Sequence, residues 1–295
     1  MGGPACLTVN TEQKHSEHAL IAMADAVERL DELEAKYSRF KKDSLVSQIN
    51  SRAGTSTFTP LDLEMYSLLS LAGQLWHETD GLFDPTVGVL NQVWDFRAGK
   101  LTSPHQLNGL LDKVGWNLVE WGDRGIRLPV EGMEIDLGGL VKEFAADAAA
   151  AMLRQAGFNS ALIELAGDIV AVGEEREGKA WQIGIRDPQE PHNSVMSVNL
   201  TNAAICTSGN YARRFHYEGR LVSHLLNPQT GQPIDGPCSV SVIGESALVA
   251  GAVATAGCIQ NEEQATNWLK KSALPWLLID KHNHCCGPIQ SGPLC

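Results

Sequence analysis

The run IDLGGLVKEFAADAAA, Ile135 to Ala150, decides the fold of this chain. An apolar lead-in and Asp136 precede the pair Gly138–Gly139, and a long Ala-rich run follows. The pattern predicts a strand turning into a helix over Val141 to Gln155, ended by Gly157. Two glycines let a ligand approach the backbone with no Cβ in the way. The helix start offers free N–H groups and a positive dipole end, with Lys142 in its first turn. Two readings stand side by side: a strand–helix turn with a surface lysine, and a phosphate-binding corner. Such a motif alone does not choose between them.

Outward from that run, Cys6 to Asn10 reads as a strand and Ser16 to Tyr37 as an amphipathic helix. Residues 38–57 read as a polar loop with a short turn. Leu61 to Thr79 reads as a second helix and Pro104 to Val114 as a third, entered through proline. Arg124 to Asp136 suggests short strands joined at Glu131–Gly132. SALIELAGDIVAVG, WQIGIRDP, SVMSVNLTNAAICTSG, SVSVIG and PWLLID read as strands, Ala247 to Cys258 and Glu262 to Lys271 as helices. Clustered strands with long helices predict an α+β or mixed α/β fold.

The bulk numbers bound the function. The chain has 295 residues, a net charge of -12 and 43% hydrophobic residues, enough for a sizeable core. The acidic balance argues against nucleic acid or an anionic membrane as the main partner. A local group of amides and one lysine still holds phosphate on an acidic protein. No window has the roughly 18 apolar residues of a membrane helix, and MGGPACLTVN lacks the pattern of an export signal. Seven scattered cysteines point to reduced, cytoplasmic usage.

Further constellations carry chemistry. Thr207, Ser208 and Gly209 read as an anion-binding turn, with Arg213 and Arg214 as donors. His224 lies at a strand end beside the turn of Asn227–Pro228; it is either an acid–base group or a structural histidine. Asp84 before Pro85 either holds a ring or ribose or closes a turn. Thr255 offers a hydroxyl to a metal or is core packing. HNHCC, His282 to Cys286, is a weak zinc candidate, because adjacent cysteines rarely ligate one ion comfortably. GxSxG and P-loop motifs are absent.

Taken in order, MGGPACLTV, AKYSRFKKDSLVSQIN, DGLFDPTVGVL, IDLGGLVKEFAAD, ALIELAGDI, CTSGNY and SHLLNPQTGQP resemble the blocks of the ApbE family, the FAD:protein FMN transferases. The resemblance covers nearly the whole chain. It implies an ApbE-like, T-fold-related α+β fold over residues 1–295 as a single domain, with two interleaved lobes and an FAD cleft between them. It implies Mg²⁺-dependent transfer of FMN from FAD to a Thr or Ser of an acceptor flavoprotein, with AMP released. Carried over by position, Tyr37 and Phe83 lie near a ring of FAD. Asp84, Gly138, Gly139, Lys142, Thr207, Ser208 and Gly209 line the FAD site, and His224 sits with Lys142 at the reacting end. The Val141 carbonyl and Thr255 are metal ligands.

The departures are specific. Gly251 stands where the resemblance places a metal-binding Asp, and Asn227 where it places an Asp. Glu143 follows the lysine where Gly is usual, and is expected to restore charge near the metal. Family members are often exported; with Met1 in the position of the domain-opening Met, the expectation is a cytoplasmic form, or a periplasmic one whose leader is missing. Two rival readings remain: a non-catalytic FAD-binding protein, and hydrolysis of FAD to FMN and AMP.

Overall fold

A computed structural model describes residues 3–96, 100–101, 104–190, 192–211, 214–217 and 220–290. Its first part contains β1 (Ala5–Val9), α1 (Ser16–Tyr37), α2 (Leu45–Ser51), α3 (Leu63–Glu78), a 3-10 turn (Pro85–Gln92), β2 (Trp94–Asp95), β3 (Lys100–Leu101) and α4 (Leu107–Leu111). Next come β4 (Glu120–Gly122), β5 (Gly125–Arg127), α5 (Val141–Gln155), β6 (Ser160–Leu165), β7 (Asp168–Gly173), β8 (Trp181–Arg186), β9 (Ser194–Leu200) and β10 (Ala203–Gly209). The last part holds β11 (Arg214–Tyr217), β12 (Arg220–Ser223), β13 (Ser239–Gly244), α6 (Ala247–Cys258), α7 (Glu262–Lys271), β14 (Trp276–Ile279) and β15 (Cys285–Cys286).

Among the described residues, one antiparallel sheet runs β1-β6-β7-β10-β13-β14-β15. Side chains alternate across it, because successive residues of a strand point to opposite faces. Val170, Val172, Cys206, Val240 and Val242 face the helical core. Ile205, Ala171, Leu277 and Ile279 face the hairpin β8–β9, which covers the other side with Trp181, Ile183 and Val198. A third cluster joins Val89, Trp94, Leu107 and Leu110 to Leu226, with Phe215 and Val222 beside it. The cluster joins two segments that lie far apart in the chain.

The opening run supplies the middle of the helical layer. Val141, Ala145, Ala146, Ala149, Ala150 and Leu153 of α5 are buried. On α6, Ala250, Gly251, Ala254 and Gly257 are buried as well. Small side chains let helix axes approach closely, so α5 packs against both α1 and α6. Asp147 of α5 fastens the pair: it accepts from Ser246 Oγ at 2.7 Å and from the amides of Ala247 and Leu248 at 2.8 and 2.9 Å.

Two local expectations need correction. Within residues 38–57, Leu45–Ser51 is helical, started by Ser44, whose side chain accepts from Ser47 N. Val46 and Ile49, three apart, are its buried side. The expected strand leading into Asp136 is a loop; only Gly125–Arg127 pairs, with β4. Ile135 has no strand neighbour for its amide and carbonyl, so the Asn50 side chain serves both, at 2.8 and 3.0 Å.

Candidate functional site

In the expected phosphate corner, the amides of Gly138, Leu140 and Val141 are engaged within the turn. The Gly138 amide donates to Asp136 Oδ1 at 2.8 Å. The Leu140 and Val141 amides both donate to the Leu137 carbonyl, at 2.9 and 3.0 Å. With those three amides engaged, the side chain of Lys142 adds positive charge at the same helix start. Arg39 braces the same loop: Nη1 donates to the Gly88 carbonyl at 2.8 Å and lies 3.4 Å from Asp136 Oδ2. Gly88 leaves room for that contact, since a Cβ there would lie 2.7 Å from Arg39 Nη1.

Lys142 is the centre of the charged group. Its Nζ pairs with Asp168 Oδ2 and lies 3.0 Å from Glu143 Oε1. The side chains of Asp168 and Glu143 are only 2% and 6% exposed, which keeps these charges out of bulk screening. Asp168 is aimed here by the hairpin before it. Leu165 pairs with Asp168 across a two-residue turn whose Ala166 and Gly167 have φ of 52° and 97°. Such positive-φ pairs fit a tight hairpin. Asp168 Oδ1 then accepts from the Thr207 amide at 2.9 Å, tying β7 to β10.

Glu143 has an unusual setting. Its Oε2 makes no hydrogen bond although it is buried. It fits because position 251 is glycine: a Cβ there would lie 3.0 Å from Glu143 Cδ and closer still to Cγ. Below it, burial first and the Glu143 charge second push the Cys206 thiol far up from its ordinary value.

Beside this group lie Phe83, Gly139 and Thr255. A Cβ on Gly139 would meet Phe83 Cε2 at 3.5 Å and Thr255 Cγ2 at 3.9 Å. Thr255 is one turn beyond Gly251, so both share one face of α6. Asp84 is buried, with both carboxylate oxygens engaged: Oδ1 takes the Thr86 amide at 2.7 Å and Oδ2 the Trp116 amide at 2.9 Å. That is turn chemistry, and it sets the entry of the Phe83 loop.

The other expected residues are more scattered. Thr207, Ser208 and Gly209 end strand β10 instead of forming a turn. Thr207 Oγ1 lies 2.7 Å from Ser241 Oγ. Ser208 points to the opposite face, on the side of the Cys258 thiol, which itself donates to the Pro237 carbonyl at 3.8 Å. Gly209 pairs with Ser239. Tyr37 donates to Glu64 Oε1 at 2.7 Å, across the seam between α1 and α3. His224 follows β12 and stands edge-on to Phe96, with ring centroids 6.4 Å apart. Arg213 lies outside the described residues, and the backbone of Arg214 pairs with Ser223.

Asn227 is a turn residue: its Oδ1 accepts from Gln229 N at 2.8 Å and Thr230 N at 3.1 Å. An amide oxygen does this as well as a carboxylate oxygen, so Asn227 removes no acid from the Lys142 group. It borders a polar hollow of about 480 Å³ with Asp80, Gln229 and Asn261, which Lys142 and Phe83 do not line. Cys285 and Cys286 form the exposed edge strand β15. Among the described residues, no three His, Cys, Asp or Glu side chains are grouped to hold a metal. A divalent ion near Lys142 would therefore rest on Glu143 Oε2 with Thr255 and carbonyl oxygens. Such hard oxygen donors suit Mg²⁺, and the orphaned, buried Glu143 oxygen fits that need.

Comparisons with known proteins give the family and the fold. The ApbE family model matches residues 1–278. The chain belongs to the ApbE family. A relative named FAD:protein FMN transferase, from Klebsiella pneumoniae strain 342, is 29% identical over 270 residues, covering 88% of this chain and 75% of the relative. One of the same name from Haemophilus influenzae is 28% identical over 286 residues, covering 92% and 80%. The crystal structure of the ApbE protein from Thermotoga maritima superposes with a TM-score of 0.83 at 27% identity, over 95% of this chain and 91% of that one. The flavin transferase ApbE from Vibrio cholerae, 24% identical with a TM-score of 0.83 over 97% and 93%, shares the fold. The expected α+β, ApbE-like fold is the observed one. Arg39, Asn50, Asp147 and Asp168 are positioning residues that the sequence did not single out.

Proposed function

We propose that this ApbE-family chain is a FAD:protein FMN transferase. The observation that carries the reading is the buried Lys142–Asp168–Glu143 group at the start of α5, beside Phe83 and Gly139, in a chain whose relatives carry that name. FAD is the donor substrate, and a Thr or Ser hydroxyl of an acceptor flavoprotein is the nucleophile. The hydroxyl oxygen bonds to the FMN phosphorus, the bridging P–O bond breaks, and AMP leaves with its electron pair. The hydroxyl proton goes to a base, the role assigned here to His224.

Lys142 holds its positive charge toward the pyrophosphate, with Asp168 fixing the position of Nζ. Phe83 offers a flat apolar surface to a ring, and Gly139 leaves the space in front of it open. Thr207, Ser208 and Gly209 form the strand-end wall, Gly138 the outer rim, and Asp84 holds the Phe83 loop in place. Tyr37 supports the α1 end from below. Glu143, Thr255 and the Val141 carbonyl are the oxygen donors for Mg²⁺, which when bound neutralises charge on the pyrophosphate. A cytoplasmic location is the reading that the scattered cysteines support.

The test mixes the protein with FAD, Mg²⁺ and an acceptor that a competent relative labels, then reads acceptor mass and AMP. A labelled acceptor with matching AMP is expected. FMN and AMP with an unlabelled acceptor would replace transfer by hydrolysis. Intact bound FAD without AMP would leave a binding protein.

A further inference from the structure

We infer that Glu143 and Gly251 are a matched pair, in which a carboxylate reaching from α5 occupies the side-chain space of α6 and presents Oε2 as a divalent-cation ligand. The inference rests on the proposed Mg²⁺-assisted reading of this site, and it adds which oxygen of Glu143 faces the ion and why position 251 is glycine.

Three observations meet here. The Glu143 side chain is 6% exposed, and its two oxygens are treated differently. Oε1 has the Lys142 ammonium at 3.0 Å, while Oε2 makes no hydrogen bond. A buried carboxylate oxygen left without a partner carries a desolvation cost that the fold does not offset, and a cation at Oε2 removes it. Second, the carboxylate fills the volume in front of Gly251, where a Cβ would lie 3.0 Å from Cδ and 3.2 Å from Oε1. Gly251 lies in a helix interior, where glycine is unfavourable relative to alanine, so its presence fits the room Glu143 requires. Third, Thr255 lies one turn along the same face of α6, its methyl carbon 3.9 Å from where a Cβ on Gly139 would sit, so a hydroxyl-bearing residue stands on the helix face that Glu143 covers. One carboxylate and one hydroxyl, with carbonyl or water oxygens completing the shell, match how Mg²⁺ is usually held.

A reciprocal exchange tests the pair, with Mn²⁺ as the probe and free Mn²⁺ read by electron paramagnetic resonance on the full chain without FAD. Wild type is expected to bind one Mn²⁺, and Glu143→Gln, which keeps the shape, to bind at least tenfold more weakly. Gly251→Asp alone is expected to lower the melting temperature, because its Cβ collides with Glu143. Glu143→Ala/Gly251→Asp is expected to recover the melting temperature and to bind Mn²⁺ within about threefold of wild type. Wild-type chain that binds no Mn²⁺, or Glu143→Gln that binds it as wild type does, would overturn the ligand role. A double variant no more stable than Gly251→Asp would overturn the pairing. Because the probe needs neither FAD nor acceptor, a protein that passes these tests and labels no acceptor separates failure of the transferase reading from failure of this one.

Discussion

Lys142 stands between two buried carboxylates, and that placement couples its chemistry to stability. Removing the ammonium leaves Asp168 and Glu143 without their cation, which costs about 3–5 kcal/mol for a buried pair. Lys142→Met is expected to lower folding stability by that order in denaturant titration. It is also expected to slow AMP release roughly a hundredfold or more, the scale of losing one electrostatic contact to a transition state. An unchanged rate in the folded variant would remove Lys142 from the reaction. Asn227 makes the opposite case. Its Oδ1 closes a turn through two amides, and Asn227→Asp keeps that acceptor. Stability is expected to stay within about 0.5 kcal/mol of wild type, as for substitutions away from buried features.

At the scale of elements, two seams set the helical layer. Asp147 of α5 holds the first turn of α6 through Ser246 Oγ and two amides. Asp147→Ala is expected to cost about 1–2 kcal/mol, the loss of a helix cap, read as a shifted unfolding midpoint with unchanged slope. The seam between α1 and α3 is ionic. Glu64 receives Arg29, Lys36 and Tyr37. Burial opposes its ionisation, but the Lys36 and Tyr37 hydrogen bonds and the nearby cations outweigh this and hold it below its ordinary 4.5. A lowered carboxyl value contributes stability above the unfolded value, and that stability is lost as pH falls through the folded one. The stability gap between wild type and Glu64→Gln is therefore expected to be present at pH 7 and to close below about pH 4.5. A gap independent of pH would exclude this origin.

Across the whole molecule, burial sorts the cysteines. Cys258 is pushed up to about 12 by burial, opposed by the Ser208 side chain, and Cys206 is also raised. Cys6, Cys285 and Cys286 are exposed. In native protein at pH 8, Cys206 and Cys258 are expected to stay unlabelled by iodoacetamide and to react once denatured; native labelling would mean the helical layer opens. The helices α1, α5 and α7 are legible with their observed bounds because each carries its own apolar period, and α6 because it is an almost unbroken run of mostly small apolar residues long enough for a helix. The helix α2 was missed because seven residues give barely two turns of that signal. The strand expected before Asp136 failed because strandness belongs to a pair, and Ile135 found Asn50 instead of a neighbour. The sequence by itself determined a mixture of clustered strands and long helices, the order of most elements and the turn into α5 before Lys142, since helical periodicity, alternation and glycine punctuation act over a few residues; the α+β class came from the resemblance of its ordered motifs to the ApbE blocks. Only the tertiary structure decided that Asp168 reaches Lys142, that Asn227 Oδ1 is taken up by the amides of Gln229 and Thr230, and that Glu143 fills the space before Gly251. Those facts depend on which side chains from distant segments meet in a buried volume, and no local pattern encodes that meeting.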